Sequence, residues 1–516
     1  MKYWLRASIA WLSLCSLSAF ASISLDFATS PNQDSDKIAL VMQNPQLESE
    51  LAQQINAQSN GEFMRQLEQI TFKPDQAKSF TLYGIGKYKQ VFVHVANRND
   101  IQTGPEWQAL GGQSVAWLSK SAGSEPLNVV LDLPSADVSA LANFALGASL
   151  RGYHFDRYKK ADNKPTSLNV ALVHALAADA ATAYQQDLTH VAKGVYLARD
   201  MASEPGKTIY PESFVQRVKT LFKGIDNVDI DVLDVKDMQK RNMGALLGVG
   251  KGSINDPRLL VIEYRGGAKD SAPIALVGKG ITFDTGGISL KPNNGMWAMK
   301  SDLSGAAAVA GTLLAVASRG EAINLVGLMP LAENMPSQDA IRPGDVLETM
   351  HGTSIEIIST DAEGRLILAD AVTYAQREFK PKMLVNIATL TGSAARALSD
   401  EYAAVITRDF ALSTEMMAVG EAAGEDVWPL PLHPNHFEQI ESDIADIKNS
   451  GAGNPGASIG AAVVGTFVDE NLPWVHLDIA GVDYLSSDTD IAPKGAAGWG
   501  VRFMDQLVRQ HAQAAQ

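Results

Sequence analysis

Ile274-Ala275-Leu276-Val277-Gly278-Lys279-Gly280-Ile281-Thr282-Phe283-Asp284-Thr285-Gly286-Gly287 is an apolar run that breaks into a glycine-rich loop carrying a lysine and an aspartate. Its first four residues read as a buried strand, and the glycines that follow permit tight turns and close backbone approach. A solvated lysine is not expected between glycines straight after a buried strand. The same pattern recurs downstream. Ile323-Asn324-Leu325-Val326-Gly327-Leu328, Ile355-Glu356-Ile357-Ile358 and Met383-Leu384-Val385-Asn386-Ile387 read as strands, with helical runs at 305–317 and 366–379 between them. Strand, loop, helix, strand over this length predicts an α/β fold with a doubly wound, largely parallel sheet. Ligands of such sheets bind at the carboxyl ends of the strands.

Seven ionisable residues fall in these loops: Lys279, Asp284, Lys291, Asp302, Asp361, Glu363 and Arg365. They are expected together at one edge of one sheet, Asp361 and Glu363 following the strand that ends at Ile358. Three Asp, one Glu and Lys279 could hold two divalent metal ions. Lys291 and Arg365 could stabilise an oxyanion and an accessory anion. Carboxylates select hard or borderline cations such as Zn²⁺ or Mn²⁺. A lysine ligand must be neutral, and bringing its pKa from about 10.4 to near 7 costs about 4–5 kcal/mol; a neighbouring dication and burial both act in that direction. Taken singly, Asp302 could cap the helix after it, and Thr360-Asp361-Ala362-Glu363 fits a capping box. Capping alone does not account for all seven together.

Other chemistries find less support. Residues 244–253 are glycine-rich but fail the Walker pattern, because Gly252 follows Lys251, and they miss the dinucleotide fingerprint at Ser253. No His-Glu-x-x-His motif occurs, and the nine histidines show no ligand spacing; His351 and His476 read as structural. No Gly-x-Ser-x-Gly elbow marks a nucleophile.

The 516 residues predict two or three domains, and 46% hydrophobic with 20% charged residues describes an ordinary globular protein. A net charge of −15 argues against a general nucleic-acid binder. Residues 1–21 read as a signal peptide: Lys2 and Arg6 precede an apolar run over 7–20, and Ala19-Phe20-Ala21 is a cleavage site. The run is short for a membrane span. Leu14 stands before Cys15 where a lipoprotein signal has a small residue, so no stable membrane anchor is expected. Cleavage removes Lys2, Arg6 and the only cysteine, taking the charge from −15 to −17. The periplasm or the medium is the expected location. Residues 22–186 read as an N-terminal α/β domain, with strands at Val91-Phe92-Val93-His94-Val95 and Val129-Val130-Leu131 and a helix over 136–150. A long helix-compatible segment, 171–200, links it to the second domain, 187–516.

At the loop residues the chain resembles the leucyl aminopeptidase family of two-metal peptidases. The resemblance spans about 188–508, with a more weakly matching N-terminal domain. It rests on Val277 to Gly287, on Met299-Lys300-Ser301-Asp302 and on Thr360-Asp361-Ala362-Glu363-Gly364-Arg365-Leu366. Ala388-Thr389-Leu390-Thr391-Gly392 and His476-Leu477-Asp478-Ile479-Ala480-Gly481 also match. The resemblance implies that Asp284 and Glu363 bridge two metals, that Lys279 and Asp302 complete the tighter site, and that Asp361 completes the more exchangeable one. It implies attack by a metal-bridging water, an oxyanion stabilised by Lys291, and a bicarbonate-like anion at Arg365 that shuttles the proton to the leaving amine. Thr389, Leu390 and Gly392 would line the substrate cleft, with Met299 in the pocket for the N-terminal side chain of a peptide. It also implies a homo-oligomer, commonly a hexamer. Ser359 stands where the family usually has Asn, which is expected to tune geometry. Asp483 stands where relatives look apolar, and is expected to tilt preference toward basic N-terminal residues. The rivals are a phosphoesterase-like two-metal hydrolase, whose usual His ligands are missing, and a non-catalytic binding protein.

Overall fold

The computed structural model describes residues 23–514 except Asn99, Thr166 and Ala452; the signal peptide read at 1–21 lies outside the described residues. Two sheets organise the chain. The first contains β1 (Ile23–Ala28), β2 (Lys37–Met42), β3 (Lys78–Ile85), β4 (Tyr88–Val95), β5 (Leu127–Asp132) and β6 (Leu168–Val173), in the order β1-β6-β5-β2-β4-β3. Every neighbouring pair is parallel except the β3–β4 hairpin. Helices α1 (Gly104–Ser121) and α2 (Val138–Arg151) cover one face. Thr103 and Glu106 start α1 with a reciprocal capping box.

The link between the sheets differs from the uniform helical reading of 171–200. Ala171, Leu172 and Val173 are the end of β6, because they pair with β1. Helix begins at Ala177, passes through a π-helical turn at Tyr184–Leu188, and continues as α3 (Thr189–Ser203). The division drawn at 186/187 falls inside that turn.

The second sheet contains β7 (Val228–Leu233), β8 (Arg258–Arg265), β9 (Ile274–Gly278), β10 (Gly280–Asp284), β11 (Asn324–Asn334), β12 (Met383–Ala388), β13 (Ala403–Ile406), β14 (Val427–Pro429) and β15 (Trp474–Asp478). Its order is β14-β13-β15-β12-β9-β11-β8-β7, with β10 on β11. The centre, β15-β12-β9-β11, is parallel, while β13, β8 and β7 join antiparallel. Alternate residues of β9 serve two cores, as the period of two requires. Ile274 and Leu276 pack with α4 (Ser304–Arg319) and α6 (Val501–Gln513), and this core runs on to Phe144 and Leu131 of the first unit. Ala275 and Val277 pack with α5 (Glu363–Phe379) on the other face. Both faces are therefore covered, which is why β9 reads as a continuous apolar run. The apolar segment Met296–Arg319 has membrane-span length, yet 94% of its most apolar 18-residue stretch is buried in the protein.

One strand differs from expectation. The run at 355–358 does not join the main sheet. Only Ser354–Glu356 is extended, in a small sheet with Val346–Glu348 and Ile447–Lys448. The N–H groups of Ile358 and Ser359 donate to Asn449 Oδ1 (2.8 and 3.3 Å) rather than to a neighbouring strand. The loop that carries Asp361 and Glu363 thus approaches from beside the main sheet.

Candidate metal centre

The centre is built around a break in one strand. β9 stops at Gly278 and the chain resumes as β10 farther along β11. Lys279 sits at the break. Its N–H donates to Ile387 O of β12 (2.9 Å), and its carbonyl accepts from Ala306 N at the start of α4 (2.8 Å). Fixed at both ends, its side chain enters a buried cluster of carboxylates.

Lys279 Nζ lies 2.8 Å from Asp302 Oδ1, 2.9 Å from Glu363 Oε1 and 2.9 Å from Thr389 O. Thr389 Oγ1 donates to Asp302 Oδ1 at 2.6 Å. Lys291 Nζ bridges Asp284 Oδ2 (2.8 Å) and Asp361 Oδ1 (2.6 Å). Asp284 Oδ1 accepts from Gly286 N and from Asn334 Nδ2. Oxygens of Asp284, Asp361 and Glu363 lie within 4.8 Å of one another. Lys279, Asp284, Asp302 and Glu363 are buried, whereas Asp361 is exposed.

Two glycines make this packing possible. Gly286 has φ of 86°, and a Cβ there would lie 2.4 Å from Ser289 O and 2.8 Å from Asp361 Oδ1. A Cβ on Gly364 would lie 2.7 Å from Lys279 Cε. Larger residues would displace the lysine or the carboxylate.

Neither bland reading of the acidic residues holds. α4 is preceded by Leu303 and has no side-chain cap, so Asp302 is free to face Lys279. α5 is preceded by Ala362 without a capping box. Thr360 Oγ1 instead donates to Gly286 O and accepts from Ser289 N, tying two site loops together. The single-edge picture needs correction as well. Lys279 and Thr389 follow strands of the main sheet and Asp284 ends one, but Asp361, Glu363 and Arg365 come from the flanking loop and the first turn of α5.

The electrostatics call for cations. Four carboxylates face two lysines, a net negative excess in a buried site. Burial raises the Asp302, Glu363 and Asp361 carboxyls above their ordinary range. For Glu363 and Asp361 the neighbouring Asp284 adds to the rise. Burial alone would depress Lys279, but Asp302, Glu363 and Asp284 outweigh it and hold the ammonium charged. A metal bound through Lys279 must therefore displace a proton that the carboxylates favour.

Unmet bonding capacity shows where a metal fits. Asp302 Oδ2 and Glu363 Oε2 are buried and have no hydrogen-bond partner. Such atoms are costly unless a ligand uses them. The donor set, with oxygens and one amine converging, suits a pair of dications. Arg365 offers a parallel fit for an anion. It is buried, its Nη1 donates to Asn449 O, and its Nε has no partner.

All eleven residues singled out in the sequence line one cavity of about 420 Å³, Met299, Leu390 and Gly392 beside the charged groups. A larger cavity, about 650 Å³, lies where the two units meet, near Gln108, Asn143 and Arg502; its acids are paired, Asp187 and Asp505 with Arg509 and Asp137 with Ala140 N. His476 is buried against Asn386 (2.6 Å), and His351 bonds Thr353 at the surface, so neither reaches the centre.

Two supporting residues, Asn334 and Asn449, escaped the sequence reading, and a third, Asp478, stood there only as part of a matching stretch with no role. Asn334 joins Asp284 to Thr360 O. Asn449 holds Ile358, Ser359 and Arg365; this side chain fixes the backbone of Ser359. Asp478 accepts from Leu390 N, Thr391 N, Thr391 Oγ1 and Ala480 N, ordering the loop over the cleft.

The catalytic-domain model of the cytosol aminopeptidase family matches residues 196–504. A probable cytosol aminopeptidase of Methylobacterium radiotolerans is 43% identical over 439 residues, covering 84% of this chain and 85% of its own length. One from Rhizobium etli is 40% identical, covering 89% and 90%. Among solved structures, the bottromycin maturation enzyme BotP in complex with Mn superposes with a TM-score of 0.80 at 29% identity, over 92% of this chain and 99% of that one.

Proposed function

The chain belongs to the cytosol aminopeptidase family of hydrolases, and from that premise we propose that it removes a Leu-like or related N-terminal residue from peptides with the help of two divalent metals. The observation that carries this reading is the buried carboxylate cluster with two unpartnered oxygens, lining a cavity of about 420 Å³.

Asp284, Glu363, Lys279, Asp302 and Asp361 would hold the two metals. Zn²⁺ or Mn²⁺ fits the donors, and the Mn complex of the neighbour supports manganese. When bound, the pair would polarise the scissile carbonyl and acidify the attacking water. The chain's own groups do the rest. Lys291, in the cavity wall, supplies a cation toward the developing oxyanion. Arg365 would hold a bicarbonate-like anion through its unpartnered Nε and so keep a proton carrier near the leaving amine. The Thr389–Gly392 loop, ordered by Asp478, positions the peptide, and Met299 contacts its first side chain.

The same proposal includes cleavage after Ala21, action in the periplasm or medium, and homo-oligomeric assembly, hexameric by family resemblance. The primary test uses protein beginning at Ser22. Leucine p-nitroanilide should be hydrolysed, chelation should abolish release, and Zn²⁺ or Mn²⁺ should restore it. A folded, metal-loaded protein that releases nothing would overturn the reading.

A further inference from the structure

Asp483 lines the cavity of the metal centre but belongs to neither the metal cluster nor the anion position. It is 7% exposed. Its Oδ2 accepts from Ser301 Oγ (2.8 Å) and Ser304 Oγ (3.2 Å). Ser301 lies two residues from Met299, so the carboxylate is fixed to the segment that lines the cavity floor.

No cation of the protein is paired with it among the described residues. Lys279 is committed to Asp302 and Glu363. Lys300, adjacent to Ser301 in sequence, points elsewhere: its Nζ donates to Ser203 O (3.0 Å) and lies over the Tyr484 ring. Burial pushes the Asp483 carboxyl up to about 7, as expected for a carboxylate with hydroxyl donors and no ion pair. Two neutral donors orient such a group without offsetting its charge. Asp483 thus faces the cavity with hydroxyl donors and no bonded cation among the described residues, so a cationic group on a bound substrate could pair with it there.

We propose that Asp483 makes this cavity selective for peptides with a cationic N-terminal side chain, lysine or arginine, whose charged end meets the carboxylate. The inference rests on the aminopeptidase reading and names its substrate class. The competing role is structural. Asp483 also lies at the start of α4, where a carboxylate is stabilised by the helix terminus, and it could serve only to hold Ser301 and Ser304.

The deciding comparison uses lysine and norleucine p-nitroanilides, which differ at the end of the side chain by the ammonium alone, on metal-loaded wild type and Asp483→Asn. In the wild type kcat/KM should favour lysine. In Asp483→Asn the lysine-to-norleucine ratio should fall about tenfold or more, chiefly through KM. The free amino acids give the same contrast without turnover: L-lysine should inhibit more strongly than L-norleucine, and the advantage should vanish in the variant. An unchanged ratio, or equal losses for both substrates, overturns the inference and leaves the aminopeptidase reading standing. Failure of the wild type to release either product overturns both.

Discussion

Both units bury carboxylates, some at strand ends and some at helix starts, and they are not alike. Asp132 closes β5 in the first sheet and is almost fully buried. Its oxygens accept from Ser49 N (2.6 Å) and Glu48 N (3.2 Å), at the entry to the helix Glu50–Gln58. Asp478 closes β15 in the second sheet and is satisfied in the same manner, by three backbone amides and a hydroxyl. Asp302 and Glu363, at the starts of α4 and α5 rather than at strand ends, are also buried, but each keeps one oxygen without a partner. A buried acid at a strand end is therefore no sign of function in itself. Unused bonding capacity, held in place by the fold, sets Asp302 and Glu363 apart from Asp132 and Asp478. Satisfied acids stabilise the protein, whereas unsatisfied ones cost stability that a ligand returns.

The strongest way to break this contrast is to change Glu363. Glu363→Gln keeps the shape and removes a charge proposed to hold the metals. Turnover of leucine p-nitroanilide should fall by about 10³-fold or more, while the unfolding free energy of the metal-free protein stays within about 1 kcal/mol of wild type. A large loss of metal-free stability with activity retained would place Glu363 in the class of Asp132. Arg365→Lys sharpens the same point for the anion position. The charge remains but the planar donor set is lost, so kcat should fall by about 10²-fold with metal affinity, measured by titration, little changed.

Much of the centre was readable because its parts are short, contiguous and chemically unusual. Lys279 between glycines after an apolar run needed no tertiary information, nor did Asp-Ala-Glu-Gly-Arg at 361–365. What was not readable depends on contacts distant in sequence. Asn449 acts on Ser359 and Arg365, which are far from it along the chain, and an isolated Asn carries no local signal. The run at 355–358 had strand character, but its place depended on whether its amides would meet a strand or Asn449. The capping readings of Asp302 and Thr360 followed sound local rules and were overridden by partners on other loops, Lys279 for one and Gly286 for the other.

Buried histidines offer a second pairing between the sheets. His94 lies in β4, bonded to Ser79 Oγ, and burial pushes it down to about 4. His476 lies in β15, and burial with the nearby Arg365 pushes it to about 3. Both are neutral when folded and gain a proton on unfolding below their ordinary value near 6.5. Their contribution is fully present above pH 6.5 and is lost as pH falls toward the folded values. For His94 the span from 6.5 to about 4 corresponds to about 3 kcal/mol. His94→Gln should flatten the acid limb of the stability curve by about that amount, measured by denaturant unfolding between pH 7 and 4.5. An unaltered limb would mean that His94 does not titrate differently in the two states.

The smallest effect expected here is the most specific to the comparison. Asp132→Ala removes an acceptor and leaves Ser49 N and Glu48 N without it. The helix Glu50–Gln58 keeps its Ser49 side-chain cap on Ala52 N, so only its approach to β5 is loosened. The cost should be about 1–3 kcal/mol in unfolding free energy. Activity at a temperature where the variant is folded should be retained, because Asp132 belongs to the other sheet and lines no part of the metal cavity. Glu363→Gln inverts both readouts. If Asp132→Ala instead lost activity in step with Glu363→Gln while remaining folded, a satisfied carboxylate of the first sheet would be acting on the chemistry from a distance, and the contrast between Asp132 and Glu363 would fail.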